Sequence, residues 1–167
     1  MFKLISKTIA AVAIVSVALF GSANAKTLKI ETHFTASSPN GEVAAQFAKN
    51  VEMFSGGSLK VEMFYSSSVT GKSAEVFNSA QTGIIDCDMT GAGYQTGKNA
   101  AFQFAGDVMG GYDNPYQQYE FLNFPGAQDA VDALYNKYGM TLIGWWIPGH
   151  ESLISSRPIP DVASLKD

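Results

Sequence analysis

The feature that most constrains this chain is a regular alternation of strand-like and helix-like segments between Leu28 and Thr90. Leu28–His33 is a short strand with Leu28, Ile30 and Thr32 on one face, followed by a loop dense in Ser, Pro, Asn and Gly. Val43, Phe47, Val51 and Phe54 then recur at helical spacing, with Asn40 placed to cap the helix and Glu42 in its first turn. Gly56-Gly57 stops it, because glycine accepts the left-handed conformation beyond a helix end. Leu59–Tyr65 alternates as a second strand, Ser73 can cap a helix running to Thr82, and Gly83 ends that helix before a third strand, Ile84–Thr90. Strands separated by helices on short connections predict an α/β fold, with parallel pairing and helices packed over the sheet.

Later segments are less regular. Asp113-Asn114-Pro115 starts a short helix over Tyr116–Phe124, Pro115 fitting the first turn, where its missing N–H costs nothing. Pro125-Gly126 interrupts, and Ala127–Tyr138 forms another helix, with Ala130, Leu134 and Tyr138 on its apolar stripe. Met140–Ile147 reads as a further strand, with Ser152–Ser155 continuing it beyond a kink at Pro148-Gly149.

The first residues are set apart from the fold. Lys3 and Lys7 precede an apolar run from Ile9 to Phe20, and Ala23-Asn24-Ala25 has the small-x-small pattern of a signal-peptidase site. That run is shorter than the roughly 20 residues a membrane helix needs. Met1–Ala25 therefore reads as a cleaved export signal, with the mature chain starting at Lys26 in the periplasm. Losing Lys3 and Lys7 takes the net charge of −4 down by two, to −6. An acidic exported chain without a basic run argues against nucleic acid as a partner. Cys87, the one cysteine, cannot form an internal disulfide and reads as an inert buried thiol.

Several catalytic motifs are approached and missed. Gly71-Lys72-Ser73 lies between strand and helix, but Ser66 stands where a P-loop needs its first glycine. Gly91-Ala92-Gly93 follows a strand, yet Thr96 replaces the third glycine of a dinucleotide fingerprint, leaving these glycines to make the turn or admit a ligand to main-chain N–H groups. His150-Glu151 lacks the second zinc-binding histidine, Ile154 standing in its place, and no G-x-S-x-G elbow exists. Asp86 and Asp88, two apart on a strand, share a face and offer the best acid–base pair; two such acids are more often structural. The residues define no catalytic constellation and call for no cofactor or metal. What remains is aromatic and polar: Phe34, Tyr94, Tyr112, Trp145 and Trp146 among Ser37, Thr90, Gln95 and Asn99. Such a set suits a cleft for a small polar ligand, although the adjacent tryptophans face opposite ways and one of them belongs to the core.

The run FAKNVEMFSGGSLKVEMFYSSSVTGKSAEVFNSAQTGIIDCDMTGAGYQTGKNAAF, with GMTLIGWWIPG, the SSRP turn and a Ser-Leu-Lys segment after it, resembles the solute-binding proteins of tripartite ATP-independent periplasmic (TRAP) transporters. The likeness runs over essentially all of Lys26–Asp167. It implies a periplasmic-binding-protein-like fold of two α/β lobes that closes on its ligand. This chain would then hold the first lobe over 26–144 and, over 145–167, the crossing strands and the start of the second, as the front part of a longer protein. It implies a non-enzymatic protein that captures a small organic acid, 2-oxo acids being the nearest class, and delivers it to integral-membrane permease subunits. Carried over by position, the ligand wall of this lobe is His33, Phe34, Thr90, Gly91, Ala92, Gly93, Tyr94 and Trp145. The arginine that pairs with the substrate carboxylate in that family would lie beyond Asp167; Arg157, the one arginine here, matches a surface turn. A secreted α/β enzyme using Asp86, Asp88 or His150, and a receptor feeding a sensor, are the alternatives.

Overall fold

The computed structural model describes residues 25–106, 108, 110–147 and 154–166. The export signal expected over Met1–Ala25 lies, but for Ala25, outside the described residues, as do Pro148–Leu153. Three parallel strands form one sheet in the order β2-β1-β3: β1 is Lys26–Thr32, β2 Leu59–Phe64 and β3 Cys87–Met89. Helix α1 (Pro39–Phe54) joins β1 to β2, and α2 (Ser73–Gln81) joins β2 to β3. The alternation thus yields the parallel α/β arrangement expected of it, with β1 central. No described helix is long and apolar enough to cross a membrane.

Helix α1 begins differently from expectation. Ser38, not Asn40, is its cap: the Ser38 hydroxyl accepts the Gly41 N–H at 3.1 Å, and Pro39 fills the first turn. The expected apolar stripe is also displaced, since Val43 is 47% and Phe54 80% exposed, while Gly41 and Ala44 are buried. The cause is close approach. A Cβ on Gly41 would run into the carbonyl oxygens of Thr35 and Ala36, so the smallest residues take the inner face. Gly56 and Gly57 end the helix at φ +61° and +81°, as glycines can. Glu52 then ties helix to sheet, its Oε1 accepting the Val61 N–H at 2.9 Å.

Ser73 is the first residue of α2 rather than its cap; Lys72 holds the cap position without a side-chain bond. Gly83 ends α2 at φ +75°, as expected. Strand β3 is much shorter than the run Ile84–Thr90. Ile84 is exposed because the chain is still turning out of the helix, its N–H bonded to Ser79 O, and Ile85 plugs the core before pairing begins.

Past β3 the chain makes two 3-10 turns, Ala92–Gln95 and Ala100–Ala105, then helices α3 (Pro115–Asn123) and α4 (Pro125–Asn136). Asn114 caps α3 by accepting the Tyr116 and Gln117 N–H groups, while Gln117 Oε1 accepts the Asp113 N–H in return. Pro125-Gly126, expected to separate the two helices, instead opens α4 directly. Val131 and Leu134 form the inner face of α4, and Ala130 is exposed. The core under α2 and α4 is built on Phe77, Phe102, Tyr135 and Tyr138, whose five ring contacts have centroids 5.2–6.0 Å apart.

Met140–Ile147 is not a strand. Its alternation is strand-like, Met140 and Leu142 packing inward and Ile143 72% exposed, but no described strand pairs with it. Its backbone is held instead by the Asp132 carboxylate, which accepts the Leu142 N–H at 3.0 Å. Ile154 and Ser155 are likewise outside any ladder.

Candidate functional site

The loops that leave β1, β2 and β3 gather at the carboxyl edge of the sheet, where open α/β sheets bind ligands. β1 is followed directly by His33 and Phe34, whose ring centroids lie 3.9 Å apart. Tyr94, from the first 3-10 turn, meets His33 edge-on at 5.3 Å, and Trp146 tilts against Phe34 at 5.9 Å. Two separate loops therefore converge on the His33–Phe34 pair. Burial pushes the His33 imidazole below its ordinary pKa, so the ring is neutral at pH 7. Its Nδ1 is buried and has no hydrogen-bond partner among the described residues.

The glycine turn contributes main chain. Gly91 has φ −73°, an ordinary value, and a Cβ there would meet only the Tyr94 ring at normal contact distance. A Cβ on Gly93 would meet nothing within 4 Å. Neither glycine is needed to make the turn. Ala92 is buried in the aromatic core, so only its backbone is available to a ligand. Thr90 donates its hydroxyl to Asp88 Oδ1 at 2.6 Å.

The adjacent tryptophans separate. Trp145 packs against the core cluster, whereas Trp146 reaches Phe34, so geometry brings Trp146 rather than Trp145 to the ring group. Tyr112 goes elsewhere, pairing with Phe121 at 5.9 Å. Gln95 is buried and donates to Ala74 O, and Asn99 accepts the Ala101 N–H at a turn start.

Asp86 and Asp88 do not form an acid–base pair. Asp86 is exposed, its Oδ2 accepting the Lys29 N–H at 2.8 Å. Asp88 is half-buried, and burial, reinforced by the Glu31 charge, pushes its carboxyl up to about 6 against the bonds from Thr90. Burial, followed by the charges of Asp86 and Asp88, raises the half-buried Cys87 thiol, which suits an inert group. His150 lies outside the described residues. Among the described residues no group of three or more His, Cys, Asp or Glu side chains is placed to hold a metal ion. Arg157 is exposed and donates to Ser164 O at 3.1 Å, consistent with a surface turn.

The segment after β2 is a third neighbour of the ring group that sequence reasoning missed. Ser66 and Ser67 both adopt left-handed backbone, φ +57° and +52°, which no serine run announces. Their N–H groups bond Phe34 O at 3.0 Å and Thr32 O at 3.1 Å, fastening this loop directly to the end of β1. Behind it lies Glu31, fully buried, whose Oε1 accepts the Val69 and Thr70 N–H groups.

Comparison with known proteins places this architecture. The chain resembles an open, ligand-free TRAP periplasmic solute-binding protein from Rhodobacter sphaeroides at 25% identity and TM-score 0.66, covering 71% of this chain and 37% of that one. A counterpart from Pseudoalteromonas atlantica, holding sodium and pyruvate, superposes at TM-score 0.63 with 19% identity, over 70% of this chain and 35% of the other. One from Bordetella bronchiseptica, with calcium and picolinate, gives TM-score 0.62 and 21% identity over 68% and 34%. The matched region spans little more than a third of the length of these structures. A search of curated proteins finds no match. The family model for bacterial extracellular solute-binding proteins, family 7, matches residues 30–167, and the chain belongs to that family.

Proposed function

We propose that this chain forms one wall of a cleft that captures a small organic acid in the periplasm and passes it to the membrane permease of a TRAP transporter. The observation that carries the reading is the ring group His33, Phe34, Tyr94 and Trp146 at the carboxyl edge of the sheet, in a chain of the solute-binding family. Pyruvate and picolinate, the acids held by two of the similar structures, are small planar carboxylates. The flat faces of such ligands match aromatic walls, and their oxygens match main-chain N–H donors. Gly91 and Gly93 support this role, because the turn itself does not require them and a side chain there would stand between backbone and ligand. The neutral His33 ring adds a nitrogen with hydrogen-bonding capacity to spare.

Charge neutralisation of the carboxylate is assigned to the opposing lobe, which the shared third of the relatives' length does not include. Delivery then follows from closure, since a ligand that contacts both walls favours the closed state by its differential affinity. The reading excludes turnover. Asp86 is engaged with Lys29 and Asp88 faces Glu31 within the sheet, so neither is presented to a substrate as a free acid or base.

The test is titration of tryptophan fluorescence with pyruvate, in the millimolar range, on the 167-residue chain. A saturable change that is lost in Trp146→Phe, with pyruvate recovered unchanged, is expected. Consumption of pyruvate would sink the binding reading in favour of an enzyme. Submicromolar affinity by calorimetry would contradict the assignment of half the site to another lobe.

A further inference from the structure

We propose that fully buried Glu31 is a positioning residue of the ligand wall, fixing the segment 65–72 through a carboxyl pair with half-buried Asp88 that shares one proton. The proposal rests on reading the carboxyl edge of the sheet as a ligand wall, but its geometry is independent of any ligand.

Glu31 and Asp88 are direct partners in the parallel β1–β3 ladder, so their side chains leave the same face of adjacent strands, about 4.8 Å apart. Glu31 is fully buried, and its two oxygens are unequal. Oε1 accepts the Val69 N–H at 2.6 Å and the Thr70 N–H at 3.3 Å, while Oε2 is buried with no partner. A buried carboxylate oxygen without a donor is costly. The adjacent group able to supply one is the carboxylic proton of Asp88, the ladder partner of Glu31, whose Oδ1 already accepts the Thr90 hydroxyl. Two facing carboxyls, one of them fully buried, favour holding one proton between them over carrying two charges. The elevated proton affinity of Asp88, raised by burial and by Glu31, agrees with this.

Three other titratable groups nearby, Tyr135, Cys87 and His33, keep their state around pH 6–7. From α4, Tyr135 is pushed up to about 12 by burial, with Asp88 adding to the shift, and stays neutral. On β3, the Cys87 thiol is raised and stays protonated. Just past the end of β1, the His33 imidazole is neutral above its lowered pKa. From α2, Glu75 is exposed and accepts the Asn78 Nδ2 donor, and Lys98 lies over the Phe77 ring.

What the pair holds is strained backbone. Left-handed Ser66 and Ser67 are unfavourable for non-glycine residues, and the anchors keeping them so are the bonds to Phe34 and Thr32 and the Glu31 grip on Val69 and Thr70. When the shared proton leaves, two like charges face each other across the ladder and Glu31 is driven from its place. The segment then loosens, and Ser66 takes its bond to the Phe34 carbonyl with it.

Amide hydrogen exchange by NMR on the ligand-free 167-residue chain, corrected for intrinsic rates, tests this between pH 5.5 and 7.5. Protection at Val69 and Thr70 is expected to fall by about tenfold, the loss of one charge-assisted bond, while Ile30 in mid-strand is unchanged. Asp88→Asn, whose amide offers a permanent donor to Oε2, should keep both amides protected throughout. Glu31→Gln should expose them at every pH; if that variant does not fold, Asp88→Asn decides alone. Flat protection in the unaltered chain overturns the proposal. So does a slope that survives in Asp88→Asn, which would assign it to His33, or one abolished by millimolar sodium or calcium, which would make the pair a cation site. Since no ligand enters the readout, failure here leaves the carboxylate-binding reading standing, and failure of pyruvate to bind leaves this one standing.

Discussion

Two groups of rings lie within this lobe, and they are built for opposite purposes. Phe77, Phe102, Tyr135 and Tyr138 pack against one another with Phe77 and Phe102 fully buried. His33, Phe34, Tyr94 and Trp146 form an open chain of contacts, none of the four fully buried and Tyr94 46% exposed. The first group uses its rings as volume, and its polar ends are incidental: the Tyr138 hydroxyl merely reaches Lys98 O at 3.4 Å. The second leaves ring faces uncovered, with an unpartnered histidine nitrogen among them. Aromatic content alone therefore predicts neither; what separates the core from the open group is whether the rings close on themselves.

The sharpest way to break that distinction is to truncate one member of each group. Phe77→Ala should cost about 3–5 kcal/mol in a urea titration, as expected for a ring removed from a closed core. A loss under about 1 kcal/mol would mean the cluster is not the core of this lobe.

Asp88 stands between the groups, felt by Tyr135 on one side and bonded to Thr90 on the other. Its carboxyl keeps its proton up to about 6 in the fold, above the ordinary value of an unfolded aspartate, so the folded state binds more protons between roughly pH 4 and 6. Stability should therefore fall as pH rises through that window and level off above it, by about 1–2 kcal/mol after allowance for partial exposure. Chemical denaturation at pH 4.5 and 7.5 checks the sign, and Asp88→Asn should remove that contribution.

Phe34→Ala and Tyr94→Ala should each change stability by about 1 kcal/mol or less, yet abolish measurable pyruvate binding by fluorescence. Equal losses of stability in the two groups would erase the contrast. The smallest expected effect is also the most selective. Gly93→Ala, with room for its Cβ and no positive φ, should leave the unfolding free energy within about 0.5 kcal/mol of the parent while weakening ligand binding. A large destabilisation there would return the glycines to a purely structural role.

The backbone frame was legible because its signals are local. Gly57, Gly83 and Gly139 mark helix ends, and all three have φ between +70° and +81°. Asn114 followed by Pro115 marked a helix start for the same reason. Burial was less legible, because α1 lies so close to the loop before it that Gly41 and Ala44 displace Val43 from the inner face, and periodicity does not know how near a neighbour will come. Met140–Ile147 has the alternation of a strand, but a ladder depends on a partner elsewhere in the chain. At the candidate site, His33, Phe34 and Tyr94 were grouped through the family resemblance, and their rings do meet in the fold. The contribution of Ser66, Ser67 and Glu31 was hidden, since left-handed serines and a buried glutamate have no sequence signal of their own.

Asp86 gives the short strand β3 something three residues cannot provide alone. Its N–H donates to Lys29 O at 2.8 Å and its carboxylate receives the Lys29 N–H at 2.8 Å, so one residue engages both backbone groups of its counterpart just before the ladder begins. A ladder of three residue pairs has little to stop it sliding, and a slip of one position turns every side chain to the opposite face. The clasp works as an alignment key. It admits one setting, in which Asp88 meets Glu31 and the turn carrying Tyr94 arrives beside His33. Exposed Asp86 thus acts as a gauge, fixing to within one residue where the His33 ring group begins.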